Sequence, residues 1–339
     1  MTMPCPPDPF LIAAFYRFAD LHDHRALQPR LLALCEAHAV RGVVILAPEG
    51  INGTIAGADA GVAAVLDFLR ADPRLAGIAP RLSRAPRQPF HRTKVRIKRE
   101  IVTLGVPGID AASQAGIRVA PRDWNALLDD PDVLVVDTRN DYEVALGSFA
   151  GAVDPGTGSF AELPAWAAAD PRLRDPGRKV AMFCTGGIRC EKSTALLRRQ
   201  GVEQVYHLDG GILAYLEAVP AAESRWRGEC FVFDERVSVG HGLVPGPHQL
   251  CRACRRPLTA DDLASPLHRP GIACVHCHGR STPERRAALA ERQRQMERAA
   301  REGRTHVGAR LQRPDAPSSP ARNAPPRGAD AGGPDGASA

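Results

Sequence analysis

The chain has 339 residues, 44% of them hydrophobic, with nine cysteines and a formal charge of +6. At ~150 residues per domain this predicts two or three domains with real cores, and the positive balance favours an anionic partner, nucleic acid first, over an ordinary arginine-rich surface. No apolar run approaches the ~18 residues of a membrane span, and Met1-Thr2-Met3-Pro4 lacks the basic-then-apolar order of a signal peptide, so a cytoplasmic protein without a membrane partner is expected.

In chain order, residues 10–105 read as β-α-β-β-α-β. A strand is predicted over 13–18. A helix follows over 30–40, with Leu31, Leu32, Leu34 and Cys35 at helical spacing. Residues 42–46 form a buried strand, Pro48-Glu49-Gly50 turns the chain, and 51–56 returns it. A second helix over 62–70 stops at Asp72-Pro73, and a last strand covers 92–101. This order predicts a ferredoxin-like α+β domain. Positions 81–100 hold eight Lys/Arg and one acid. On the last strand Lys94, Arg96 and Lys98 alternate with Val95 and Ile97, so period two places the bases on one face. A solvated face is the bland reading. The density of charge, with Arg84, Arg87 and Arg92 beside it, favours a phosphate-contacting face.

Residues 106–127 read as a connector. Residues 128–222 read as an α/β domain, because 133–137 is a continuous apolar strand of the kind a doubly covered parallel sheet uses. Residues 180–183 and 204–208 repeat that pattern. Residues 225–282 are a Cys-rich segment. A basic helix is predicted over 283–304, with Thr282 as N-cap and Pro283 at the first helical position. Residues 305–339 are rich in Pro, Ala, Gly and Asp and are expected to be disordered.

The run Cys184-Thr185-Gly186-Gly187-Ile188-Arg189 joins the 179–183 strand to a helix. It puts a cysteine among backbone N–H groups at a helix N-terminus, with Arg189 adding a fixed positive charge. Such a setting lowers a thiol pKa below its free value of roughly 8.5, so a reactive thiolate is expected at Cys184. Four residues separate Cys184 from Arg189. Cysteine phosphatases use five, enough to cradle a phosphate, so the shorter loop suits a sulfur-sized group. Cys190 is a candidate resolving partner; a structural cysteine is the competing reading.

Cys251-Arg252-Ala253-Cys254 and Cys274-Val275-His276-Cys277 are two CxxC knuckles. Four thiolates at this spacing can meet around one structural zinc ion. His248, His276 and His278 are nearby substitutes. Gly156-Thr157-Gly158 lacks the third glycine and the context of a dinucleotide fingerprint, and no organic cofactor motif is evident.

The segments 133–139, Gly151-Ala152, 184–189 and 205–212 resemble the rhodanese domain. That resemblance implies a Cys184 persulfide or thiolate nucleophile, with Thr185, Gly186, Gly187, Ile188 and Arg189 as its loop. With 47–57, 90–96 and 230–237 added, the chain over roughly 10–280 is similar to the rhodanese-related tRNA uridine hydroxylases. This narrower resemblance implies oxygen-dependent formation of 5-hydroxyuridine at the wobble position, with molecular oxygen as co-substrate and tRNA as partner, bound through Lys94, Arg96 and Lys98. On the residues alone two other classes stay open: a sulfurtransferase passing sulfane sulfur through Cys184, and a non-catalytic zinc-dependent adaptor.

Overall fold

A computed structural model describes residues 9–175 and 177–304. The expected disordered tail lies outside the described residues. The N-terminal unit runs β1 (Phe10–Phe18), α1 (His24–Ala37), β2 (Arg41–Ala47), β3 (Gly50–Gly57), α2 (Asp59–Arg70), β4 (Arg81–Ala85) and β5 (Thr93–Ile97). Its sheet order is β4-β1-β3-β2-β5.

The first four strands give the ferredoxin-like order, but the assignment of the fourth strand needs correction. It is β4, at the edge beside β1, and not the basic segment. The basic segment supplies β5, an added fifth strand parallel to β2 at the opposite edge. β4 buries only Ala85, so this short polar edge strand has no hydrophobic run to announce it. Helix α1 likewise begins six residues before the predicted start, with Pro29 inside it.

Alternation along the strands sorts two faces. Ala13, Phe15, Val44, Leu46, Ile51, Ile55 and Val95 pack under Leu31, Cys35, Val62, Val65 and Leu69 of the two helices. The other face carries Ala14, Tyr16, Asn52 and Thr54. Register places Tyr16 opposite Asn52, Asn52 opposite Ile45 and Ile45 opposite Arg96, in one row across the sheet. Lys94 stands in the neighbouring row, opposite Val43. Lys98 falls just past the strand end, although its N–H still donates to Leu46 O at 2.9 Å.

The second unit runs α3 (Ala111–Gln114), β6 (Ile117–Val119), α4 (Trp124–Asp129), β7 (Val133–Asp137), α5 (Asp141–Val144), β8 (Gly147–Phe149), α6 (Leu163–Ala169), β9 (Lys179–Phe183), α7 (Ile188–Arg199), β10 (Val205–Leu208) and α8 (Gly211–Ala218). The order β6-β10-β9-β7 is parallel throughout. The segment 106–127 is therefore no mere connector: β6 is an edge strand of this sheet, too short and too exposed to show as a hydrophobic run. Alternate residues of β7 and β9 feed two separate cores. Val133, Val135, Ala181 and Phe183 face one, and Leu134, Val136, Val180 and Met182 the other. That double burial is why both strands read as unbroken apolar runs.

The two units are tied by Lys192 of α7, 2% exposed. Its Nζ donates to Glu49 Oε2 at 2.8 Å, Glu100 Oε2 at 2.5 Å and Val102 O at 3.1 Å. Further on lie α9 (Ala260–Ala264) and α10 (Pro283–Arg301). Thr282 caps α10, its side chain accepting from Arg285 N, and Ala299 is the one buried residue of that helix. Among the described residues no helix is long and apolar enough to cross a membrane.

Candidate active site and four-cysteine cluster

Phe183 ends β9 in a cluster of aromatic rings. Its centroid lies 4.8 Å from Phe149 and 6.4 Å from Trp124, at steep interplanar angles. This packing fixes the strand end, and the next residue is Cys184. The loop then passes through Gly187 at φ +95°, where a Cβ would meet Tyr16 Oη at 3.1 Å. Behind it Gly211, at φ +64°, lets the start of α8 abut the loop; a Cβ there would sit 2.4 Å from Cys184 O. Ile212 N and Leu213 N consequently donate to Cys184 O and Thr185 O at 2.9 and 3.0 Å. With its carbonyls bound behind, the loop turns its N–H groups inward.

Gly187 N donates to Cys184 Sγ at 3.2 Å. Burial opposes ionisation of Cys184. The Cys190 thiol, the Arg189 charge and the N–H groups of Arg189 and Cys190 outweigh it and bring the pKa down to about 6. Cys190 moves the opposite way, raised by burial and by the neighbouring Cys184. Both thiols are free and buried. Cys190 also sits 3.7 Å from Thr138 Oγ1. Because the folded pKa of Cys184 lies below its unfolded value of roughly 8.5, its ionisation stabilises the fold fully above that pH. The contribution is lost as pH falls through about 6.

Arg189 is not free to roam. Glu143, fully buried at the end of α5, accepts from both its terminal nitrogens at 2.7 Å. Burial would neutralise this carboxyl, but Arg189 and Arg139 keep it ionised with a lowered pKa. Thr185 Oγ1 donates to Glu143 Oε2 at 3.3 Å. Asp137 and Arg139 form a second buried pair, 2.6 Å apart, and Arg139 also donates to Gly147 O at 2.6 Å. That pair ties α5 and β8 to the sheet. Cys230 lies close by, its pKa pushed up to about 12 by burial.

The open side of the loop faces the N-terminal sheet. Tyr16, Asn52, Thr54, Arg118, Cys184, Arg189 and Phe233 are among the residues lining one cleft of about 600 Å³. Tyr16 Oη donates to Glu191 Oε1 at 3.0 Å, and Arg118 donates to the same oxygen at 2.7 Å. Burial raises the pKa of both Tyr16 and Glu191. Sequence reading missed Tyr16, Glu143, Glu191 and Phe233. The run Phe10–Phe18 is apolar on both sheet faces, which hides the outward role of Tyr16. Glu143 stands only as the third residue of a capping box with Asn140.

Thr185, Gly186, Ile188 and Arg189 all reach the cleft. Lys94 is half-buried and Arg96 exposed, on the cleft-facing side of the sheet but toward its far edge. Burial and the nearby charges of Arg92, Arg96 and Arg255 lower the Lys94 pKa.

The four knuckle cysteines converge elsewhere. Their sulfurs all lie within 4.8 Å of one another, with close pairs at 3.9 Å (Cys251–Cys277), 3.7 Å (Cys254–Cys274) and 3.7 Å (Cys274–Cys277). A tetrahedral zinc–thiolate bond of ~2.3 Å implies sulfur separations of about 3.8 Å, so the donor set fits such an ion. Tight turns shape the knuckles. Arg255, at φ +69°, lets its N–H donate to Cys251 O at 2.8 Å, and His278 N reaches Cys274 O at 2.8 Å. Two of the alternative histidines are otherwise engaged: His248 with Glu229 at 2.9 Å and His276 with Asp262 at 3.3 Å. The cluster can hold a metal ion such as zinc.

Comparison with known proteins agrees with both units. Residues 10–101 match the model of the UPF0176 acylphosphatase like domain, and residues 120–218 match that of the rhodanese-like domain. A tRNA uridine(34) hydroxylase of Albidiferax ferrireducens is 58% identical over 303 residues, covering 88% of this chain and 95% of the relative. One from Acaryochloris marina is 55% identical over 304 residues, covering 90% and 98%. One from Mesorhizobium japonicum is 56% identical over 309 residues, covering 91% and 100%. Near-complete coverage at this identity carries the whole described architecture, and the chain belongs to the tRNA uridine(34) hydroxylase family.

Proposed function

We propose that this chain hydroxylates C5 of the wobble uridine of tRNA, with Cys184 as the attacking thiolate. The observation that carries the reading is the buried Cys184 thiol, its pKa lowered to about 6, on the floor of a cleft walled by a second, basic domain. A sulfurtransferase acting on small sulfur donors needs no such wall. The family relationship supports the same choice.

C5 of uracil is a poor nucleophile. Attack of Cys184 Sγ on C6 forms an S–C bond and moves the electron pair toward O4, which makes C5 enolate-like. C5 then takes an oxygen atom from an electrophile at the peroxide level, whose O–O bond breaks. Loss of the C5 proton expels Sγ and restores the ring. Molecular oxygen supplies that electrophile after two-electron reduction by an external reductant. Arg189 and the loop N–H groups hold the sulfur anionic before attack and after release. Glu191, a carboxylate of the cleft wall with a raised pKa, is suited to receive the C5 proton. Cys190 is held as a resolving thiol should Cys184 be oxidised.

The wobble base belongs to a single-stranded loop and can be splayed into a pocket. Sheet strands lie ~4.8 Å apart, so Arg96, three strands across from Tyr16, sits about 14 Å from the cleft wall, where the backbone of the same loop would pass. Arg96→Glu is expected to weaken tRNA binding more at low salt than at high salt, read by filter binding across a salt series. A defect of equal size at every salt concentration would point to misfolding instead. We assign Lys94 and Lys98 to the same phosphate path.

We also assign a structural zinc to the four cysteines. The small apolar cluster around them, Leu258 and Ala273 with the cysteines themselves, is too slight to fold that segment alone. Cys274→Ser is expected to lose about one equivalent of zinc by elemental analysis and to open residues 249–280 to proteolysis. Full metal content in the variant would remove Cys274 from the ligand set.

The direct test of function is nucleoside mass spectrometry of tRNA from a cytoplasmic extract of a deletion strain. Loss of 5-hydroxyuridine, restored by the gene, is the expected result. Loss of a thiolated uridine with hydroxylation intact would favour the sulfurtransferase.

A further inference from the structure

We propose that Phe233 is the stacking platform for the nucleobase adjoining the target uridine, which holds the anticodon loop open while uridine enters the cleft. This rests on the tRNA hydroxylase reading above. Phe233 lines the same cleft as Cys184 yet is 60% exposed, whereas Cys184 is fully buried. It is the one aromatic among the large exposed hydrophobic residues described. The depth order matters: the base that reaches the sulfur goes to the floor, and its neighbour in the strand stays at the mouth.

The ring stands on a rigid mount. Its loop is closed by Val232 N donating to Val237 O at 2.9 Å, with Val237 at φ +66°. Arg236 grips Asp234 through Nε at 2.9 Å and Nη2 at 2.7 Å. Two bonds anchor the loop to the N-terminal domain, Arg236 Nη1 to Ser83 Oγ at 2.9 Å and Glu235 N to Pro89 O at 3.0 Å. Phe233 rests at 5.1 Å and 88° on Phe231, which rests at 5.4 Å on Tyr142. An aromatic ring carried on a fixed loop yet left to water is a preorganised contact surface, because the backbone beneath it is already ordered before binding.

The chemistry around it selects the occupant. Arg81 and Arg118 line the same cleft, and the Arg118 side chain is 61% exposed. Guanidinium groups beside an exposed ring suit a single-stranded nucleic acid, phosphates on the cations and a base on the ring. A hydrophobic peptide or a second copy of this chain would find arginines where it needs apolar surface.

The test uses the full chain and an anticodon stem-loop carrying 2-aminopurine immediately 5′ or 3′ of uridine 34. Wild-type protein is expected to bind and to quench one of the two probes by stacking. Phe233→Ala and Phe233→Leu should lose the quenching and bind roughly tenfold more weakly, while Phe233→Tyr retains both. The Cys184 alkylation profile, unchanged in all three, reports an intact fold. Wild-type binding with quenching and affinity preserved in Phe233→Ala overturns the inference and leaves the function standing. Loss of a concentration-dependent dimer in Phe233→Ala, with stem-loop binding intact, overturns it in favour of a second copy. Failure of the wild-type protein to bind the stem-loop overturns the function itself.

Discussion

Cys184→Ala is expected to leave no 5-hydroxyuridine above background in tRNA when it replaces the wild-type gene in a strain with no other route to that nucleoside. Removing a covalent nucleophile typically lowers turnover by several orders of magnitude, because no neighbouring group can form the same bond. Cys190 offers no rescue: it is not among the residues lining the cleft, and burial holds its thiol pKa high. The thiol itself gives a second readout. Alkylation of Cys184 by iodoacetamide should be half-maximal near pH 6, where its pKa is placed, rather than near the ~8.5 of a free cysteine. Undiminished modification by Cys184→Ala ends the nucleophile assignment. A midpoint near 8.5 would instead remove the electrostatic basis for it.

The Glu143–Arg189 pair should show the next largest effect, and its two halves should part company. Each partner is buried, so deleting either strands the other without its counter-charge. Arg189→Met and Glu143→Gln should each cost about 3–5 kcal/mol of stability, read by denaturant unfolding. Their effects on the thiol differ in sign. Arg189 lowers the Cys184 pKa, so Arg189→Met should move the alkylation midpoint upward. Glu143→Gln removes a negative charge behind Arg189, and its midpoint should stay or fall. Equal upward shifts in both variants would mean that loop collapse, not charge, controls the thiol. Unfolding free energies within about 1 kcal/mol of wild type would show the pair to be energetically idle.

Parts of this molecule announce themselves in the residues. Cys184 follows an apolar strand and precedes glycines and a helix, and those three local facts suffice to make its sulfur the focus of backbone N–H groups. The four knuckle cysteines are set by spacing alone, because two CxxC turns leave little freedom in where the sulfurs go. The double burial of β7 and β9 shows as unbroken apolar runs. By contrast, β4 and β6 are short, polar edge strands, held by neighbours that the local sequence does not mention.

The chain order of residues by itself determined the ferredoxin-like and rhodanese units, the thiolate loop and the four-cysteine set, since each depends on periodicity or close spacing. Only the tertiary structure decided what surrounds the sulfur. Glu143 reaches Arg189 from 46 residues away, and Tyr16 reaches Glu191 from 175 residues away across a domain boundary. Contacts of that separation are fixed by how sheets and helices stack, and no local pattern encodes them. The same stacking places Arg96 in one cross-strand row with Tyr16 and sets Phe233 at the mouth of the cleft. A basic strand and a buried cysteine can be read along the chain; that the strand lies on the cleft-facing side of the sheet, three strands from the cavity that Cys184 lines, is a property of the packed fold alone.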